Sequence, residues 1–280
     1  MGEAQTNKLI LRTRFVAGVI AFLFLTTSAS LTRAQDTRNL TPLQAEIQLQ
    51  QQRLSSGDEE ERRDALMRLA AMHRAAASRV ALPALSDLSP MVRVTAAKAI
   101  LSLDPAESSA ALLPLLNDKD EFVRREVAYA LGQTRSRTAT AALSERLLND
   151  KEAGVRGAAA VALGKIAEEA GVIALASTLA PELSVPVKSK RKREENEFVL
   201  RAAAEALGQI KSRTGVPALL SAVSNEKFPA DVRREAVRAL GLIGDPTAIP
   251  TLKSASLSED PFLAQLAHES LRKLSRTAAP

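Results

Sequence analysis

The 280-residue chain has no cysteine, no tryptophan and one tyrosine, and its aromatic content is only 3%. Lack of Cys excludes a disulfide framework, a thiolate nucleophile and any Cys-ligated metal. Strands draw on β-branched and aromatic side chains. The Ala and Leu that dominate instead are strong helix formers and suit closely packed helices. Histidine is nearly missing too, with only His73 and His268. The chain has no Gly-x-Ser-x-Gly elbow, no Gly-rich phosphate loop and no paired carboxylates outside mixed-charge turns. The residues therefore predict no catalytic, cofactor or metal site, and the expectation is a protein that is not an enzyme.

A strong charge bias is absent as well. The formal net charge is +6, but without the first 34 residues 34 basic and 31 acidic side chains remain. Five of those positive charges sit in one run, at Lys188, Lys190, Arg191, Lys192 and Arg193. The surface elsewhere is close to neutral, which argues against specific nucleic-acid binding.

The amino terminus has the three-part layout of a secretory signal peptide. Lys8, Arg12 and Arg14 precede the apolar run Phe15 to Leu25, and small residues follow. Cleavage after Ala34 is preferred to cleavage after Ala29, because a polar stretch begins at Gln35. The run of 11 apolar residues falls short of the ~20 that a spanning helix needs. The expectation is an exported protein, periplasmic or extracellular, with no transmembrane span once residues 1–34 are removed.

What the chain has in abundance is repetition. VRREVAYALG (123–132) recurs as VRGAAAVALG (155–164), VLRAAAEALG (199–208) and VRREAVRALG (232–241). Weaker copies start at Glu61, Val92 and Leu263, so the seven starts lie 31, 31, 32, 44, 33 and 31 residues apart. In the four strong copies a valine leads, a small or apolar residue follows four on, and Ala-Leu follows at seven and eight. That is one helical stripe. Gly132, Gly164, Gly208 and Gly241 close the copies and suit helix C-termini. Between the copies lie second helical patterns over 139–148, 170–179, 216–223 and 247–257. Pro83, Pro114, Pro217 and Pro250 read as early-helix prolines or kinks. No helix-turn-helix unit can bury its stripe alone, so the units must stack. The prediction is an all-α, right-handed α-solenoid of about seven helix pairs over residues 42–274. A short polar segment (35–41) precedes it and a tail (275–280) follows.

An Asp, then Val-Arg, then an Ala-rich stretch ending Ala-Leu-Gly resembles the HEAT-like repeat family, especially the short form named for phycobilisome lyases. Asp87, Asp118 and Asp150 stand five residues before a leading valine, and Arg93, Arg124 and Arg156 directly follow one. The resemblance implies a structural ladder of hydrogen bonds between successive turns. The carboxylate can accept from helix N-terminal N–H groups, and the guanidinium can reach its neighbour. It also implies that the Val-Arg helix lines the concave side. Positions two and six after the valine then face a partner, and Lys98, Arg125, Tyr129, Arg201, Glu205, Arg234 and Arg238 are the candidate interface. Val94, Gly157, Val161, Gln265 and Glu269 share those positions, and Tyr129 is the one aromatic on them.

Some relatives are enzymes. Deoxyhypusine hydroxylases hold two irons with several His-Glu pairs, whereas this chain has the single pair His268-Glu269. Phycobilin lyases attach a chromophore to a partner's cysteine, and an exported chain poor in aromatics does not suit that role. The pattern breaks once, at a basic insertion over 181–195: Glu194 stands in for Asp within it, and Leu200 replaces the arginine in the copy that follows. Its basic run is a candidate contact for a polyanion or an anionic membrane surface. The functional expectation is a non-catalytic scaffold for a protein partner, with no cofactor; the alternatives are a lyase-like or hydroxylase-like enzyme, which the resemblance alone implies, and a polyanion or membrane binder.

Overall fold

The computed structural model describes residues 40–183 and 195–277. The signal-like segment 1–34 and the basic run at Lys188, Lys190, Arg191, Lys192 and Arg193 lie outside the described residues, as does Glu194. The described residues contain fourteen α-helices and no strand. They are α1 (Pro42–Arg53), α2 (Glu59–Ala71), α3 (Ala75–Ala81), α4 (Pro90–Ala99), α5 (Pro105–Leu112), α6 (Glu121–Thr134) and α7 (Thr140–Asn149). After these come α8 (Ala153–Ile166), α9 (Val172–Leu179), α10 (Glu197–Ile210), α11 (Val216–Ser224), α12 (Ala230–Ile243), α13 (Ile249–Ala255) and α14 (Pro261–Thr277). The chain divides into two compact units, Met1–Gln52 and Arg53–Pro280. In the first, Thr41 and Gln44 form a capping box at the start of α1, each side chain accepting the other's N–H, at 3.3 and 2.9 Å.

The second unit is a two-row stack. The even helices α2 to α14 carry the repeated motif, and each packs on the next even helix. The odd helices α3 to α13 form the other row, with sparser contacts along it. The leading residues Val92, Val123, Val155, Val199, Val232 and Leu263 are all buried, as are the Ala-Leu pairs at 130–131, 162–163, 206–207 and 239–240. Each fully buried Val or Leu contributes about 1.5–3 kcal/mol of transfer free energy. One such seam per repeat is what holds the stack together. Fourteen helices make roughly seven pairs, as the repeat spacing predicts.

The four repeat glycines are not helix caps, contrary to the sequence expectation. Each lies two residues before the end of its helix, at Thr134, Ile166, Ile210 or Ile243. Their role is close approach. A Cβ on Gly132 would lie 2.8 Å from Ala162 Cα, one on Gly164 2.9 Å from Ala206 Cα, and one on Gly208 2.9 Å from Ala239 Cα. A Cβ on Gly241 would collide with Ser270. The left-handed residue that ends each helix is instead Arg135 (φ 53°), Ala167 (φ 55°), Lys211 (φ 59°) or Gly244 (φ 73°). The motif ends at a glycine, but the helix has half a turn still to run.

The four prolines that the sequence places early in helices or at kinks divide into two kinds. Pro217 and Pro250 are second residues of α11 and α13, where no intrahelical N–H is required. Pro83 and Pro114 are second residues of the 3-10 turns Leu82–Ser86 and Leu113–Asn117, into which α3 and α5 tighten.

Candidate functional site

The most regular polar feature of the second unit is the ladder. Each rung is an arginine directly after the leading residue of one even helix. Its partner is a carboxylate in the turn before the next. Arg62 donates Nε and Nη2 to Asp87 at 2.8 and 3.0 Å, and Arg93 donates both to Asp118 at 2.8 Å. Arg124 meets Asp150 at 2.9 and 3.1 Å, and Arg156 meets Glu195 at 3.1 and 2.6 Å. The remaining Nη1 binds main-chain carbonyls, those of Ser56, Asp87, Asp118 and Asp150 in turn. Arg93, Arg124 and Arg156 are only 6–7% exposed, and every nitrogen of each buried guanidinium has an acceptor, as burial requires.

The aspartates do not cap helices directly, as the sequence pattern suggested. Asp87, Asp118 and Asp150 accept from the N–H two residues on, that of Ser89, Asp120 or Glu152. Ser89 and Asp120 then cap α4 and α6. Burial alone would raise the Asp118 carboxyl. The Arg93 guanidinium and the Asp120 N–H outweigh it and hold Asp118 below the ordinary carboxylate value. Asp87 is lowered in the same way, burial being opposed by Arg62 and the Ser89 N–H. The Asp150 carboxylate raises the Arg124 guanidinium further.

The geometry corrects the sequence pattern at two rungs. The carboxylate that receives Arg156 is Glu195, one residue beyond Glu194. The first rung, Arg62–Asp87, is hidden in the sequence because Glu61 occupies the leading valine position. The one signal for it is the Arg that follows, in register with Arg93.

The candidate stripe lies on the exposed side of the even row. Arg201 and Arg238 are exposed, and Arg125, Tyr129, Glu205 and Arg234 are partly so. Arg125 stacks on Phe122, 5.1 Å from the ring centroid, and lies near Glu126, which also binds Lys98 at 3.0 Å. Gln209 donates to Glu205. Arg238 donates to both oxygens of Glu235 at 3.2 Å. Burial raises the Glu235 carboxyl above its ordinary value, against the pull of Arg238. Burial likewise raises the Tyr129 phenol, and its hydroxyl has no hydrogen-bond partner among the described residues.

Several stripe positions differ from expectation. Val94 is only 4% exposed, because it packs into the core. Gly157 is buried under Phe198, whose ring occupies the space a side chain would need. Arg234 is engaged, donating Nε and Nη2 to Asp260 at 2.9 and 3.0 Å and Nη1 to Asp231 at 2.8 Å. Its guanidinium lies 5.0 Å from the Phe262 centroid. With Gln265 and Leu266 this pair lines a recess of about 330 Å³. Tyr129 is the one aromatic at the two outward positions, but it is not the one ring nearby. Phe122, Phe198 and Phe262, each just before a leading residue, bring three more rings to this side. Glu126 and Glu235 are further members that the sequence pattern does not single out, being three residues after the valine. Their spacing to Lys98, Arg125 and Arg238 is the available clue.

His73 and His268 are both exposed, in the turn after α2 and on α14. Among the described residues no three His, Asp or Glu side chains gather as metal ligands. No described helix is long and apolar enough to cross a membrane.

Two rows of stacked helices, tied turn to turn by buried arginine–carboxylate rungs, define an all-α solenoid repeat protein. The family model for HEAT repeats matches residues 48–131, 78–164, 109–183 and 186–272, and the chain belongs to that family. Among solved structures, an engineered protein is 21% identical with a TM-score of 0.52, covering 82% of this chain and 68% of that one. The complex of CpcE and CpcF of phycocyanin lyase from Nostoc is 22% identical, with a TM-score of 0.45 over 86% of this chain and 89% of that one. Human deoxyhypusine hydroxylase in complex with glycerol is 19% identical, with a TM-score of 0.42 over 82% and 84%. Likenesses at these identities concern fold alone. No curated protein sequence matches the chain.

Proposed function

We propose that this HEAT-repeat solenoid is a non-catalytic scaffold that holds a protein partner along the exposed stripe of its even helices. One observation supports the reading above others. Arg125 and Tyr129 on α6, Arg201 and Glu205 on α10, and Arg238 on α12 lie at the outward positions of the even row, and none of them serves the ladder. Arg and Tyr are common anchors of protein interfaces. The signal-like first 34 residues place the scaffold outside the cytoplasm in this proposal, and N-terminal sequencing of the mature chain would then begin at Gln35.

The test is comparative capture from envelope extract with the wild-type chain and the double variant Tyr129→Ala, Arg201→Glu. A partner identified by mass should be retained by the wild type and depleted at least ~10-fold by the variant, the loss expected from two anchors of over 1 kcal/mol each. Equal recovery by both, with unchanged circular dichroism, removes the stripe from the proposal. Iron or a tetrapyrrole bound to the purified chain would overturn the non-catalytic reading.

A further inference from the structure

The ladder fails at its far end, and the failure leaves a charged group exposed to a groove. Earlier partners stand 25 or 26 residues after their arginines, and 39 across the insertion. After Arg233 that place falls on Ser258. The turn is the same: Ser258 Oγ accepts the Asp260 N–H, as Asp118 accepts that of Asp120. The carboxylate is not. Asp260 serves Arg234 instead. Arg233 donates only Nε, to Val223 O at 3.0 Å. Its two Nη groups have no hydrogen-bond or ion-pair partner among the described residues, although the side chain is half-buried. They border a groove of about 760 Å³ between α11, α13 and the turn before α14. Ser224, Ser254 and Ser258 line it, together with Asp260, whose carboxylate is held by Arg234, and Glu226 and Glu259 stand at its exposed edges.

We propose that this groove receives an acidic side chain of a protein partner, which supplies to Arg233 the carboxylate that Asp118 supplies to Arg93. A half-buried guanidinium with two unused Nη groups is matched geometrically by a carboxylate, which accepts both at once. Glu226 and Glu259, exposed and without ion pairs among the described residues, set the flanks. The incoming acid is bordered by basic residues that they attract. The inference rests on the scaffold reading but not on the stripe.

The test uses the full chain labelled with ¹⁵N and two probes, acetyl-Lys-Asp-Lys-amide and acetyl-Lys-Asn-Lys-amide. The Arg233 Nε–H signal is identified by its loss in Arg233→Gln. The Asp peptide should shift it saturably, with the Asn peptide about tenfold or more weaker, the difference expected of a hydrogen-bonded charge. Ser258→Asp should abolish the shift by closing the rung internally. Ser258→Ala should keep affinity within about twofold, since one neutral hydroxyl contributes little here, and it carries the test if Ser258→Asp fails to fold. Equal affinity for the two peptides, no saturable shift with either, or full binding by Ser258→Asp overturns the proposal. The stripe variant Tyr129→Ala, Arg201→Glu should bind the Asp peptide normally, so failure of either reading leaves the other standing.

Discussion

At the scale of single residues the most instructive positions are those that break local rules. Arg135, Ala167 and Lys211 end α6, α8 and α10 in the left-handed region, which costs an L-residue with a Cβ roughly 1–2 kcal/mol. Gly244 ends α12 in the same conformation at no such cost. Lys211→Gly should therefore raise stability by about 0.5–1 kcal/mol, part of the gain being offset by entropy of the unfolded chain. Gly244→Ala should lower it by about 1 kcal/mol. Urea unfolding of the two variants checks both signs. Glu235 offers a pH-dependent case. Its folded pKa is raised by burial, so its effect on stability is most favourable below the unfolded value and is lost as pH rises through the folded one. Glu235→Gln keeps an acceptor for Arg238 and removes the buried charge. Its melting temperature should exceed wild type at pH 7 and match it near pH 4.

Single helices reveal how much of the architecture the sequence stated outright. The leading valine, the Ala-Leu pair and the period made the even helices and their buried seam legible, because burial of that seam is the largest favourable term available. The aspartates and arginines of the ladder were legible because they recur. Helix ends were not. The glycine of Ala-Leu-Gly looks like a stop signal, yet its reason is the neighbouring helix, and a contact across a repeat is invisible along one. Gly132→Val and Gly208→Val should each cost about 1–3 kcal/mol by forcing adjacent even helices apart, measurable as a lowered urea midpoint with little change in helicity. The ladder has its own signature. Asp150 is 2% and Arg124 7% exposed at the side chain, so Asp150→Ala leaves a buried guanidinium without its counter-ion, at about 3–5 kcal/mol. The lowered carboxyls of Asp87 and Asp118 stabilise the fold above their ordinary value of 3.8. That contribution disappears as pH falls through their lower folded values. Acid unfolding should thus fall mainly below pH 3.8.

Across the whole stack, the candidate stripe was legible only in part. Positions two and six after the valine face outward on an isolated helix, but the next repeat decides what stays exposed. Phe198 folds over Gly157, Val94 sinks inward, and Asp260 claims Arg234. Such contacts reach into a neighbouring repeat, beyond a pattern read within one helix. The ladder has the same long-range character, and it is uneven. Four consecutive rungs tie α2 through α10, whereas Leu200 on α10 and Ser258 before α14 interrupt it over the last repeats. In a repeat array, stability is roughly a sum of repeat and nearest-neighbour terms, so interfaces lacking a rung should open first. Amide exchange should be faster in α12 and α13 than in α6 and α8. Restoring the rung tests the cause. Asn225 lies 25 residues after Leu200 and already accepts the Lys227 N–H as Asp118 accepts that of Asp120. Leu200→Arg with Asn225→Asp should slow exchange in α12 while leaving α6 unchanged. The single change Leu200→Arg, which buries a charge without its counter-ion, should quicken it. Equal protection along the even row in the wild type would show that the apolar seams alone set local stability and that the rungs add register without strength.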